Sequence, residues 1–446
     1  MVTNVLVNAE RKDLHFSYGD VFAHPTAREL AAFLTGQSPV AESDDDVAGY
    51  DYSAINKLLA GNTLENFIGG QRQELGKNIL LTGTTGFLGI HMLREVLDQT
   101  PSDTVIWCLL RGKGAISAER RLTEMLVYYF GRDYMHLLGS RIRVIQGDIT
   151  DGAVFASMLL SGTPYDTVIN CAANVKHFSR GNDILKVNYE GVKNIVDFCI
   201  KRGAMLIQVS TESVGGMAAG ESPMLTEQML YFGQNTDNQY VFSKFMAERF
   251  ILENVAGGKL NAKIMRAGNL SPRAADGEFQ INFNTNASMG RLKSYRILGA
   301  CPYSLLEAKM EFSPIDETAK AVVLLARTPK ENCVFNVSNN HLIPMDDIVS
   351  RLKLGDGSSL EYLEDADFFR RMEEAKSDPK KAKILSSIIA YDQADGQLHM
   401  VEPSTAFTMQ ILHRLGFRWD QTNSRYVDMI FEVLDSFRFF DTALDD

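Results

Sequence analysis

The sequence predicts an α/β protein: a parallel sheet wound with helices on both faces, followed by a smaller, mainly helical C-terminal part. Three observations carry that expectation. Short apolar runs alternate with amphipathic stretches from Asn78 onward, a glycine triplet lies between the first run and the first stretch, and the alternation weakens after about Gly268. Strands separated by helices of this length cannot pair as hairpins, so they pair in parallel through crossovers.

Asn78–Thr82 reads as the first strand, and 86–97 as a helix with Ile90, Leu93 and Leu97 on one face. Strands are then expected at 105–110, 142–146, 167–171, 205–210 and 262–265, with helices at 118–130, 184–199 and 239–253. A helix over 317–326 and a strand over 333–337 are expected to return to the sheet. The remainder from Met345 reads helical, with Phe368, Phe369, Met372, Ile384 and Leu385 as packing positions. Before the sheet, Pro25 and Thr26 open a short helix with Leu30, Phe33 and Leu34 on one face, closed by Gly36. A polar stretch with three consecutive aspartates then reads as a linker. The expected units are 1–36, a linker with N-terminal helices at 37–76, a nucleotide-binding domain at 77–275 to which 312–340 returns, and a C-terminal domain at 276–446.

At 446 residues the chain can bury a large core, and 45% hydrophobic with 23% charged residues excludes disordered and fibrous classes. A net charge of −11 argues against a general nucleic-acid binder. No apolar run approaches the roughly 18 residues of a membrane span. Five scattered cysteines without a CxxC pair exclude a zinc knuckle or disulfide framework, so reduced thiols in a cytoplasmic protein are expected. No metal site is expected.

The loop Thr82-Gly83-Thr84-Thr85-Gly86-Phe87-Leu88-Gly89 joins the first strand to the first helix. Its glycines allow a tight turn, close backbone approach to a pyrophosphate, and helix–strand packing. The helix start offers unpaired N–H groups to phosphate. A dinucleotide is therefore expected on Gly83, Thr85, Gly86, Phe87, Leu88 and Gly89. An NAD site usually carries a carboxylate about 20 residues on. Here the second strand runs into Arg111-Gly112-Lys113, so Arg111, supported by Lys113, Arg120 or Arg121, is expected to meet a 2′-phosphate, which favours NADPH; a solvated basic turn is the alternative. After the third strand, Asp148 suits the adenine amino group with Ile149 over the ring, or else a helix cap.

Tyr240 and Lys244 stand four apart on one helix face. Thr211 ends the fifth strand, and in such sheets chemistry gathers at the carboxyl ends of strands. Carbonyl reduction places negative charge on oxygen, which a phenol can meet by donating a hydrogen bond or proton. A neighbouring ammonium stabilises the phenolate, and the Thr211 hydroxyl can hold the substrate oxygen. Thr211, Tyr240 and Lys244 are thus the candidate catalytic residues, with Tyr240 and Lys244 also beside the cofactor. Asn188 serves either to anchor its helix or to hold a relay water.

Together, TGTTGFLG, LLRGK, GDI, CAANVKHF, VNYEGVKN, VSTESV, YVFSK and MRAGNLSPR resemble the extended short-chain dehydrogenase/reductase superfamily, which has a Rossmann-type fold. They look specifically like thioester reductase domains of nonribosomal peptide synthetases and carboxylic acid reductases, over roughly residues 50–345. The resemblance implies a catalytic triad at Thr211, Tyr240 and Lys244, and a phosphate-binding arginine at Arg121 or its neighbour Arg120. DVFAHPTARELAAFL (20–34) is similar to the last helix of a peptidyl carrier protein. The implied chain is a piece of a larger synthetase that begins inside a carrier domain and lacks the phosphopantetheine serine motif. The implied reaction is NADPH-dependent release of a carrier-bound acyl or peptidyl thioester as an aldehyde, or onward to an alcohol. The implied partner is the carrier with its phosphopantetheine thioester, and the excised domain is expected to be a monomer. A sugar-nucleotide epimerase or dehydratase on the same scaffold, or a redox-silent NADP-binding protein, would also explain the loop. In the tail, Arg370, Arg371, Lys376, Lys380, Lys381 and Lys383 form either a carrier-docking patch or a solvated face balanced by Glu373, Glu374 and Asp378.

Overall fold

The computed structural model describes residues 47–176, 182–283, 286–375, 377–378, 381, 384–385 and 398–441. The carrier-like segment 20–34 and Lys376, Lys380 and Lys383 lie outside the described residues.

Seven parallel strands form one sheet: β1 (Asn78–Thr82), β2 (Val105–Leu110), β3 (Ile142–Gln146), β4 (Thr167–Asn170), β5 (Met205–Thr211), β6 (Ala262–Ala267) and β7 (Val334–Val337). Their spatial order is β7-β6-β5-β4-β1-β2-β3. The order reverses between β1 and β4, which opens a crevice at the carboxyl ends where a nucleotide fits. The alternation along each strand sorts its side chains into two cores. Ile79 and Leu81 of β1 join one cluster and Leu80 joins the other. Because both faces are covered, β1, β4 and β7 read as nearly continuous apolar runs.

The helices are α1 (Ser53–Ala60), α2 (Leu64–Gly69), α3 (Phe87–Gln99), α4 (Ala118–Phe130), α5 (Gly152–Leu160), α6 (Gly191–Arg202), α7 (Gln239–Ala256), α8 (Ala287–Leu298), α9 (Ile315–Ala326), α10 (Met345–Arg351), α11 (Asp365–Ala375), α12 (Ala406–Arg414) and α13 (Ser424–Ser436). Ser117 caps α4 by accepting from the Arg120 N–H, and Gly203 ends α6 in the left-handed region at φ 70°. The helix expected over 184–199 is interrupted by one π-helical turn, Lys186–Glu190, a distortion that recurs at functional sites.

A third cluster, with Phe279, Tyr295, Phe312, Phe368 and Tyr426 at its centre, forms the C-terminal part around α8, α10, α11 and α13. The chain then crosses back. Leu398–Met400 pairs antiparallel with Met217–Ala219, and Met409, Ile411, Leu412 and Trp419 join the core of the sheet. Residues 398–420, grouped in sequence with the C-terminal domain, therefore pack against the nucleotide-binding half. Cys108, Cys199, Cys301 and Cys333 are buried free thiols, and Cys171 is a part-buried one. Among the described residues, no helix is long and apolar enough to cross a membrane, and no His/Cys/Asp/Glu group is arranged to hold a metal.

Candidate active site

The glycine loop is shaped by contacts that leave no room for side chains. Gly83 has φ +72°, and a β-carbon there would lie 2.6 Å from backbone atoms of Cys171 and Ala172. One at Gly89 would lie 2.0 Å from the Gly83 carbonyl oxygen. The first position seats the turn against the end of β4, and the second presses α3 onto it. Gly86 precedes α3 without any side-chain cap, so the first N–H groups of a 13-residue helix remain open toward the loop. That uncapped, glycine-cradled helix start fits a dinucleotide pyrophosphate. The side chain of Leu88 is buried, and the Phe87 ring packs against His91 and Phe279. Toward the loop, the group that these two residues can offer is backbone N–H.

At the end of β2 the charged groups form a small network. Arg121 donates to Thr85 Oγ1 at 3.3 Å and to the Arg111 carbonyl at 2.5 Å. Arg120 points away and pairs with Glu124, so Arg121 is the arginine at the loop. Arg111 Nη1 stands 3.3 Å from Asp148 Oδ2, while Asp148 Oδ1 accepts from the Thr150 N–H and hydroxyl. Asp148 therefore closes a turn; the helix cap is Asp151, at the start of α5. Ile149 is buried against Gly191, where a β-carbon would come within 2.9 Å of it.

Across the crevice, Thr211 ends β5 and caps the next turn by accepting from the Ser213 N–H. Tyr240 lies in the first turn of α7, which Asn238 caps by accepting from the N–H groups of Tyr240 and Val241. One turn later Lys244, only 4% exposed, donates to the Val209 carbonyl at 3.2 Å, two residues before Thr211. Burial pushes its ammonium down to about 8, against the opposing pull of Glu248. Asn188, in the π turn, accepts from the Asn174 N–H and donates to the Asn174 carbonyl and to Ser243 Oγ. It pins the loop after β4 to α7.

Two networks were missed in the sequence, the first of them without any local signal there. Thr82 Oγ1 donates to Asn170 Oδ1, Asn170 Nδ2 to Gln208 Oε1, and Gln208 Nε2 to the same Val209 carbonyl that Lys244 uses. This buried chain joins the glycine loop to Lys244 across three adjacent strands. One turn beyond Lys244, Glu248 forms a fully buried ion pair with Arg266 of β6 at 2.8 Å, and Arg266 also donates to the Thr226 and Met229 carbonyls. The spacing 240–244–248 along one helix face was a legible hint of the second network.

In the tail, Arg370 pairs with Asp367 and Arg371 with Glu361, so two of the three described cations of the expected patch are balanced locally, and the third, Lys381, is exposed.

A glycine-rich strand-to-helix turn where the strand order reverses, with Thr211 at the end of β5 and Tyr240 and Lys244 on α7, is the arrangement of an extended short-chain dehydrogenase/reductase. The chain belongs to the NAD-binding family described as "Male sterility protein", whose model matches residues 81–322, and within that superfamily it groups with the reductase domains of nonribosomal peptide synthetases. A solved thiolation-reductase di-domain from an archaeal non-ribosomal peptide synthetase is 36% identical, with TM-score 0.84, covering 98% of this chain and 91% of that one. The reductase domain of the aureusimine biosynthetic cluster, 24% identical with TM-score 0.73, covers 89% of this chain and 100% of its own and shares the fold. The isonitrile lipopeptide synthase of Streptomyces coeruleorubidus is 28% identical over 352 residues, 75% of this chain. The chain spans 23% of that synthase and 12% of the PKS-NRPS hybrid synthetase acdB of Aspergillus candidus. A nicotinamide cofactor is the ligand that this family and loop define.

Proposed function

We propose that the chain reduces an acyl or peptidyl thioester, held on the phosphopantetheine arm of a carrier protein, with NADPH, and releases an aldehyde. The observation that carries this reading is the end-to-end likeness, at 36% identity, to a thiolation-reductase di-domain. A nicotinamide held on the glycine loop and beside Lys244 would supply the hydride that the thioester carbonyl carbon receives. Tyr240 donates a hydrogen bond or proton to the carbonyl oxygen as charge develops there, and the Thr211 hydroxyl holds the same oxygen. The Lys244 ammonium lowers the cost of a phenolate at Tyr240 and holds the nicotinamide ribose. The tetrahedral adduct then collapses: the C–S bond breaks, the carbonyl re-forms, the proton on its oxygen passes to the departing thiolate, and Tyr240 regains its own proton from solvent. Loss of NADPH absorbance with a pantetheine thioester, with the aldehyde or alcohol identified by mass, tests the reaction. Absence of any thiol release would refute it.

Preference for NADPH rests on Arg111 and Arg121 at the end of β2. The Arg111–Asp148 pair is exposed on the arginine side and worth about 0–1 kcal/mol, so a 2′-phosphate competes for Arg111 at little cost. Arg111→Ala is expected to raise the KM for NADPH far more than that for NADH. Equal changes would separate Arg111 from the 2′-phosphate.

Lys244 provides a pH test. With its ammonium lowered to about 8, it is charged at neutral pH and neutral above that value. NADPH affinity is therefore expected to fall as pH rises through about 8 in the wild type, and to be flat over that range in Lys244→Met. Direct titration by fluorescence reads both.

A further inference from the structure

The residue after Thr211 is tied to a strand that is not its neighbour. Glu212 Oε1 accepts a 2.6 Å hydrogen bond from Ser338 Oγ. Ser338 follows β7, whereas Glu212 follows β5, and β6 lies between them in the sheet. The link passes over the end of β6 at Gly268. A β-carbon there would sit 2.5 Å from Ser338 Cβ and 2.7 Å from Glu311 Oε2. Glu311 grips the same place from the other side, accepting from the Asn269 N–H and from Ser313 Oγ. Ser313 Oγ in turn accepts from the Asn339 N–H, next to Ser338. Two carboxyls, two serines and a bare glycine thus lock the ends of β5, β6 and β7 around the turn that Thr211 caps.

We infer that Glu212 is a positioning residue, holding the Thr211 turn in register with the end of β7 through its hydrogen bond to Ser338. This inference rests on the role proposed for Thr211. The tie needs a hydrogen-bonding group and no negative charge. Burial, followed by the neighbouring Glu311 carboxylate, pushes the Glu212 carboxyl up to about 8. Glu311 itself is pushed up to about 7 by burial. Glu227 adds repulsion, and the attraction of Arg266 is spent mainly on Glu248. The raised value favours the neutral acid at Glu212, which can share a proton with Ser338. A glutamine is its closest mimic.

The test compares Glu212→Gln, Glu212→Ala and Ser338→Ala in the full chain. Turnover of a pantetheine thioester, NADPH dissociation constant and amide exchange over 212–215 are measured for each. The two alanine variants are expected to lose on the order of 10- to 100-fold in kcat through misplacement of Thr211, with the NADPH constant unchanged. Glu212→Gln is expected to stay near wild type in all three measurements. Combining the two alanines is expected to add little beyond either alone, since both break one link. Unchanged kcat in both alanine variants would overturn the inference, and so would a glutamine variant as impaired as alanine. Wild-type turnover tests the proposed reaction separately. Should the wild type reduce no thioester, amide exchange still reads the tie: faster exchange at 212–215 in the alanine variants alone supports it, and unchanged exchange overturns it.

Discussion

Replacing Tyr240 with phenylalanine is expected to lower turnover by about 10²–10⁴-fold while leaving NADPH affinity near that of the wild type. The substitution removes one hydroxyl from the first turn of α7 and leaves the Asn238 cap, which uses backbone N–H groups, intact. Its effect should therefore appear in kcat. Single-turnover reduction of a pantetheine thioester with saturating NADPH isolates that step. Near-normal rates in Tyr240→Phe would remove the phenol from the mechanism and return the oxygen to Thr211 alone.

The second large effect concerns stability. Glu248 and Arg266 are both fully enclosed, and Arg266 has the two carboxylate oxygens and two backbone carbonyls as its acceptors. Glu248→Ala strands the guanidinium in the core, which typically costs about 3–5 kcal/mol. Denaturant unfolding is expected to show that loss as a lower midpoint. Because Glu248 sits on the same helix face as Tyr240 and Lys244, the variant should also lose activity at temperatures where it remains folded. A change below about 1 kcal/mol would mean that water or another acid reaches Arg266.

Much of the fold was legible because the sheet is buried on both faces. β1, β2, β3 and α4 have the limits that their apolar runs and flanking glycines or caps indicate. The crossover between β3 and β4 was not read as a helix, because α5, GAVFASMLL, is apolar nearly all round and has no clean amphipathic period. Residues 184–199 read as one helix because a π turn changes hydrogen bonding without changing composition. Asp148 illustrates the limit for single residues. Its sequence position fits a cap or a ligand contact, but only the fold shows Thr150 and Arg111 on its two oxygens. The Thr82–Asn170–Gln208 chain and the Glu212–Ser338 tie join residues far apart in sequence. No local pattern encodes such pairs, since they exist only once parallel strands have brought their ends together.

The antiparallel return of Leu398–Met400 onto Met217–Ala219 has a consequence for the order of assembly. The segment linking Thr211 to Tyr240 is fastened by residues near the far end of the chain: Val401 N–H donates to Gly216, Leu225 N–H to Glu402, and Thr408 to Glu227, 181 positions away. During synthesis, β1 to β4 and the glycine cradle seated on the end of β4 have emerged long before those residues do. Cofactor affinity should thus mature early and turnover late. A nascent chain arrested before residue 398 would hold nucleotide without yet being an enzyme.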